Sequence, residues 1–176
     1  MKKIIWAILA LALNGGLFAE QKAGKLFMGP SVGYVFAGVG YGVGAEYAIH
    51  DNWNVGVDLS YTNFKQDLNV GFGYSYTTTY TLFGALAGVS YHLWSKQAFD
   101  PFVKIGVGYF NWGVSVKDQN GVELASTSSL SLAYTSGIGV GGQLGARYHF
   151  TDNISARASV GWPFYVAAGA DFAIAF

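Results

Sequence analysis

The sequence predicts an all-β protein, an eight-stranded antiparallel up-and-down transmembrane β-barrel with its apolar side turned outward. Three observations lead there. Only 11% of the 176 residues are charged, against roughly 25% in ordinary globular chains. Hydrophobic residues make up 52% and aromatics 17%, yet beyond the N-terminal segment no long apolar run occurs. Several stretches instead alternate residue by residue, the period of a strand with two unlike faces. A chain this apolar, without apolar helices, satisfies its backbone in lipid by closing a ring of strands.

The first element is not a strand. Met1-Lys2-Lys3 is followed by IIWAILALAL and then by small residues up to Ala19, just before Glu20. A charged start, a short apolar run and a small residue at the cut describe a secretory signal peptide. The run is too short to span a bilayer. Residues 1–19 are therefore expected to be cleaved, leaving 20–176 as the barrel domain, exported by a bacterium of Gram-negative type. The chain has no cysteine, which excludes a disulfide framework, a thiolate metal site and a lipoprotein anchor. Basic and acidic residues number ten each; without Lys2 and Lys3, acids outnumber bases, and no basic patch for nucleic acid is evident.

Alternating segments follow at 26–37, 40–50, 53–64, 79–94, 101–117, 129–150, 153–163 and 165–176. In the third, Trp53, Val55, Val57, Leu59 and Tyr61 oppose Asn54, Gly56, Asp58, Ser60 and Thr62. In the sixth, Ile138, Val140, Leu144, Ala146, Tyr148 and Phe150 oppose Gly139, Gly141, Gln143, Gly145, Arg147 and His149. In the last, Val166, Ala168, Ala170, Phe172, Ile174 and Phe176 oppose Ala167, Gly169, Asp171 and Ala173. An even strand count places both chain ends on the periplasmic side. Short polar turns at His50-Asp51-Asn52, 95–100 and Thr151-Asp152-Asn153 are then periplasmic. The longer segments 65–78 and 117–128 are extracellular loops, and those near 38–40 and 163–165 are short. Asn120-Gly121 marks a tight hairpin, so strands five and six are expected to run on above the membrane as a ribbon. Pro30 blurs the parity of strand one, and strand five is expected to slip at a bulge near Phe110–Trp112.

Charge placement is the sharper test of the barrel. With the apolar face assigned to lipid, Glu46, Asp58, Lys104, Arg147, Arg157 and Asp171 all fall on the opposite face. A cation on the lipid side at the midplane costs about 2–4 kcal/mol, whereas opposite charges in a lumen can pair. A soluble calyx would show the inverse pattern. Aromatics suggest two girdles. Tyr47, Trp53, Tyr91, Trp94, Phe102, Tyr148, Phe150 and Phe176 lie at the periplasmic ends. Tyr34, Phe36, Tyr41, Tyr61, Trp112, Tyr134, Trp162 and Phe164 lie at the outer ends.

One pattern recurs in the strands that descend to the periplasm: Gly44-x-x-Tyr47-x-Ile49, Gly88-x-x-Tyr91-x-Leu93, Gly145-x-x-Tyr148-x-Phe150 and Gly169-x-x-Phe172-x-Ile174. It resembles the terminal assembly signal of bacterial outer-membrane proteins: a polar residue, then Gly-x-x-aromatic-x-apolar, closing on Phe. Gln143, Gly145, Tyr148 and Phe150 fit it in full though internal. At the C-terminus Phe172, Ile174 and Phe176 keep its character, while Gly169 lies two positions too early. The mature chain thus resembles the eight-stranded outer-membrane β-barrel superfamily, of which the OmpA transmembrane domain and OmpX are familiar shapes. The resemblance implies outer-membrane lipid and lipopolysaccharide as surroundings, the barrel-assembly machinery as partner, and a monomer.

Alternating glycines (Gly42, Gly44, Gly56, Gly84, Gly88, Gly106, Gly108, Gly139 and Gly141) face the lumen and leave room for water beside the ion pairs. The expected function is structural, a contribution to membrane integrity with weak pore activity through the polar lumen. The alternative is surface recognition through loops 65–78 and 117–128, whose Tyr, Phe, Asn and Thr suit an adaptable binding surface. Catalysis is not expected: His50, His92 and His149 lie toward the periplasmic ends, and no loop gathers His with an acid. Gly137-x-Gly139-x-x-Gly142 matches a dinucleotide fingerprint in letters only, because no helix follows it. Neither metal nor cofactor is implied.

Overall fold

The computed structural model describes residues 22–35, 38–71, 74–126, 136–164 and 166–175. The expected signal peptide, Phe36, Tyr134, positions 127–135 and Phe176 lie outside the described residues. The strands are β1 (Lys25–Val35), β2 (Gly38–His50), β3 (Trp53–Gly71), β4 (Tyr74–His92), β5 (Phe99–Asp118), β6 (Glu123–Ser126), β7 (Gly137–Thr151), β8 (Ile154–Trp162) and β9 (Val166–Ala175). All pairings are antiparallel; β9 pairs with β1, β4 with β5, and β5 with β7. The ladder of β1–β5 and β7–β9 therefore returns on itself as a ring of eight. Closure removes the sheet edges that an open sheet would expose to lipid. β6 pairs with β5 alone among the described residues, from Ser115↔Ser126 to Lys117↔Glu123.

Side-chain direction follows the pleat. Outward positions are apolar and open: Ile138 and Val140 are 83% and 81% exposed. Inward positions are buried, with Arg147 at 0%. This inverted polarity is how a barrel meets lipid. The parity of β1 is clean, with Phe27 and Gly29 inward and Met28 and Pro30 outward. β5 does not slip at Phe110–Trp112. Its register with β4 runs unbroken from His92↔Phe102 to Tyr76↔Asp118, and Phe110 continues the inward row begun by Asp100, Phe102 and Lys104. Tyr109 takes the outward place before it; two adjacent aromatics on opposite faces mimic a slip in the sequence.

The outer connections differ from expectation. Segment 65–78 is not a loop: β3 and β4 stay paired from Trp53↔Tyr91 to Asn69↔Ser75 and meet again at Gly71↔Tyr74. Tyr- and Thr-rich strands pair well across a ladder. Here Thr77 Oγ1 donates to Asp67 Oδ1 at 2.7 Å, and Phe64 stacks on Tyr80 at 4.9 Å. The hairpin after β5 turns on Asp118, whose Oδ1 accepts from the backbone N–H of Asn120 (2.9 Å) and Val122 (2.8 Å). Gly121, at φ +79°, takes the left-handed place such a turn reserves for glycine. β3, β4, β5 and β6 thus form a ribbon that rises beyond the barrel rim.

Candidate functional site

The lumen holds the ionisable groups, and the wall delivers them one strand at a time. Inward parity places Glu46 on β2, Asp58 on β3, Lys104 on β5, Arg147 on β7, Arg157 on β8 and Asp171 on β9. The structure brings all six together as a single alternating chain. Lys104 Nζ bridges Asp58 Oδ2 (2.6 Å) and Glu46 Oε1 (2.9 Å). Arg147 bridges Glu46 Oε2 through Nη2 (2.7 Å) and Asp171 Oδ2 through Nε (3.0 Å). Arg157 Nη2 ends the chain at 3.5 Å from Asp171 Oδ1. Three acids and three bases leave no formal charge, and each internal member has two partners, as buried ions require.

The two remaining wall strands also contribute. Ser90 Oγ on β4 donates to Glu46 Oε1 at 3.2 Å. The Phe27 ring on β1 has its centroid 4.6 Å from the Arg147 guanidinium carbon, a cation–π contact. All eight strands of the ring therefore meet in one layer. Neither Ser90 nor Phe27 stands out in the sequence, because a serine or a phenylalanine on an alternating strand carries no mark of its partner.

Below this layer the barrel is shut by Phe27, Ala48 and Ala173 and by the turn 93–98, whose Ser95 and Ala98 are buried. Asp100 ties that turn down: Oδ2 lies 2.6 Å from His92 Nδ1, and Oδ1 accepts from the Trp94 N–H at 3.3 Å. Asn54 Nδ2 sits 3.1 Å from His92 Nε2. Phe102, expected in the lower girdle, is instead 1% exposed and stacks on His92 at 5.5 Å. The parity of β5 turns it inward, beside Lys104.

Above the ion layer lies an apolar plug of Val35, Leu82, Leu86, Phe110, Phe164 and Ala167, with Trp112 and Trp162 packed against it. Phe164, expected in the outer girdle, is 6% exposed. Its ring is laid into the barrel mouth, where a Cβ on Gly33 or Gly40 would come within 2.6 Å of it. Phe64 occupies the corresponding space over Gly38. Wall glycines near the mouth thus make room for aromatic rings rather than for water. Beneath Phe164 a cavity of about 20 Å³ is lined by Ser31, Asp58, Ser60, Gln143, Arg157 and Ser159, space for about one water. Among the described residues the ion layer thus lies between the cluster around Phe27 and the apolar cluster around Phe164.

Of the assembly-signal positions, Gln143 lines that small cavity, and Gly145 meets Phe102 from the wall. Phe150, Phe172 and Ile174 are exposed on the outer surface, and Tyr148 lies edge-on to Phe150 at 5.1 Å. Trp53 and Tyr91 pack at 4.8 Å at the same end of the barrel. No group of three or more metal-ligating side chains converges among the described residues.

Solved structures share this architecture. Ail, the attachment invasion locus protein of Yersinia pestis, determined in complex with the heparin analogue sucrose octasulfate, is 14% identical, with 86% of this chain and 99% of that chain covered at a TM-score of 0.56. A de novo designed transmembrane β-barrel is 21% identical, covering 88% of this chain and 99% of its own, at 0.52. The outer membrane protein OprG of Pseudomonas aeruginosa is 12% identical, covering 89% and 92%, at 0.52. At these identities the likeness establishes the fold, which is that of a transmembrane β-barrel. No protein-family model and no curated protein sequence matches the chain.

Proposed function

We propose that this transmembrane barrel is a sealed structural element of a bacterial outer membrane, contributing to membrane integrity and holding an ordered ribbon outside the bilayer. One observation carries the reading: Glu46, Asp58, Lys104, Arg147, Arg157 and Asp171 are paired with one another in a neutral chain, between an apolar plug above and the Phe27 cluster below. A conduit needs charged groups free to exchange water and solute; here each of these six charges is held by at least one opposite charge of the protein. The apolar outer belt takes outer-membrane lipid and lipopolysaccharide as its surroundings. The Gly-x-x-aromatic-x-apolar segments of the descending strands, with their outward aromatics, are the surface the barrel-assembly machinery would read. The protein is a monomer in the plane of its membrane and not an enzyme, a reading supported by the burial of His92, Asp100 and His149.

Planar-bilayer recording tests this reading. Purified protein that requires detergent and inserts without discrete conductance steps is the expected result. Steps that change size on Arg147→Ala or Arg157→Ala would overturn the sealed barrel in favour of a pore. A protein soluble without detergent would overturn the membrane assignment itself.

Surface recognition is the second reading, favoured by the pairing of β3 with β4 out to Asn69↔Ser75, which makes the ribbon a firm platform. A polyanion such as the heparin analogue bound by Ail suits it poorly: the ribbon carries Lys65 and Lys117 against Asp67, Asp118 and Glu123. Equal adhesion by cells producing the full chain and a chain lacking 67–76 would remove this reading.

A further inference from the structure

The six-charge chain has two ends, and they meet. Asp58 on β3 and Arg157 on β8 are separated in the wall by β2, β1 and β9, yet both line the small cavity beneath Phe164. Each stands opposite a glycine, Asp58↔Gly44 and Arg157↔Gly169, so those partner positions bring no side chain against either. A Cβ on Gly44 would lie 2.5 Å from Asp58 Oδ1 and 3.3 and 3.5 Å from Arg157 Nη2 and Nη1. One carboxylate oxygen and one guanidinium therefore share a single spot on the inner wall. The ion pairs of the chain use Asp58 Oδ2, at 2.6 Å from Lys104, and Arg157 Nη2, at 3.5 Å from Asp171. Asp58 Oδ1 and Arg157 Nη1 are the atoms those pairs leave over.

Exposure marks the same two residues. Glu46, Lys104, Arg147 and Asp171 have side chains at most 2% exposed, whereas Asp58 is 12% and Arg157 9% exposed. We infer that this cavity binds one water, which accepts from Arg157 and donates to Asp58 Oδ1, closing the six charges into a ring. The size of the cavity, about 20 Å³, limits the ligand to about one water-sized molecule, and charge selects among such molecules. An anion would lie against the Asp58 carboxylate and a cation against the Arg157 guanidinium, and like charges this close repel in a buried site. A neutral molecule that donates and accepts at once suits both. Ser31, Ser159 and Gln143 line the same cavity and can bring its partners to the roughly two to four that a buried water needs.

Such a water gives Gly44 a role of its own within the recurring Gly-x-x-aromatic pattern. At Gly88, Gly145 and Gly169 the atom nearest to an added Cβ is a backbone carbonyl oxygen of the adjoining strand. At Gly44 the near atoms belong to the Asp58 and Arg157 side chains. The other three keep strands close; Gly44 keeps room for a ligand.

Nuclear magnetic resonance of the chain folded in detergent micelles, with isotope-labelled arginine, tests the site through nuclear Overhauser contacts with water. The Arg157 side-chain N–H groups should show a contact with long-lived water, and those of Arg147 should not. Gly44→Ala puts a methyl group where the water stands and keeps every hydroxyl of the cavity. It should abolish the contact at Arg157 while unchanged Arg147 signals report the fold. Absence of the contact in the wild type, or its survival in folded Gly44→Ala, would overturn the site. A crystal structure of the wild-type chain decides the matter even where the variant does not fold. Density for one water within hydrogen-bond distance of Asp58 Oδ1 and Arg157 is the expected result; a direct Asp58–Arg157 ion pair would overturn it. Crystals soaked in bromide or rubidium should give no anomalous signal in the cavity, and a peak of either would assign the site to an ion instead.

Discussion

The lower and upper halves of the lumen solve one packing problem with opposite chemistry. Below, wall strands supply long charged side chains that reach across and neutralise one another, from Asp58 to Arg157. Above, β1 and β2 are pared down to glycine, and the ring of Phe164, carried between β8 and β9, fills the space. The lower half is held by charge pairs and tolerates little loss, since a lone buried ion is costly. The upper half is held by shape, and its sensitivity scales with the volume removed. An eight-stranded barrel has an interior just wide enough for side chains to fill; this one fills it in both ways.

The largest expected effect breaks the lower half. Arg147→Met leaves Glu46 and Asp171 without their shared base and should destabilise the barrel by about 3–5 kcal/mol, read by denaturant unfolding in lipid. A loss under about 1 kcal/mol would mean that the chain of ions is solvated and not a core.

Phe164→Ala attacks the upper half. Removing a buried ring should cost about 3 kcal/mol, yet the bilayer record should stay silent, because the ion layer and the Phe27 floor still close the barrel. Conductance from this single variant would show that the plug alone is the seal.

Gly40→Ala probes the same contact from the wall. Its Cβ would press on the Phe164 ring and on Thr62, an overpacking worth about 1–3 kcal/mol. In the Phe164→Ala background that loss should shrink, a coupling measurable by a double-mutant cycle. Strict additivity would contradict the seating of Phe164 on this glycine.

The smallest effect belongs to Ser90→Ala in the lower half. It removes one hydrogen bond to Glu46, which two bases still hold, and should cost about 1 kcal/mol in the same unfolding assay. A loss as large as that of Arg147→Met would place Ser90 among the essential members of the network.

The two halves are unequally legible in the sequence. A charged side chain on an alternating strand announces its face, because the lipid side would penalise it, so Glu46, Lys104 and Arg147 are readable as lumen residues before any partner is known. An aromatic carries no such mark. Phe102 and Phe164 suit a girdle and a core equally well by composition, and only their parity and neighbours separate the two. Glycine is ambiguous in the same way: Gly33 and Gly40 carry no side chain to report a neighbour, yet they are the seats of a ring. Segment 65–78 reads as a loop because its polarity rises, but above the rim both faces of a paired strand meet water, so polarity stops reporting on pairing.

Alternation is written along the chain: which side chains face lipid, which face inward, and that the wall must close. Those follow from a period of two and the cost of a charge in hydrocarbon, both local properties of the chain. The division of the interior emerges only when the strands are brought together. Which acid meets which base, which ring drops onto which glycine, and how far β3 outruns β2 depend on register between strands distant in sequence. Parity says that a side chain points inward; stagger around the ring says at what height, and height chooses its partners.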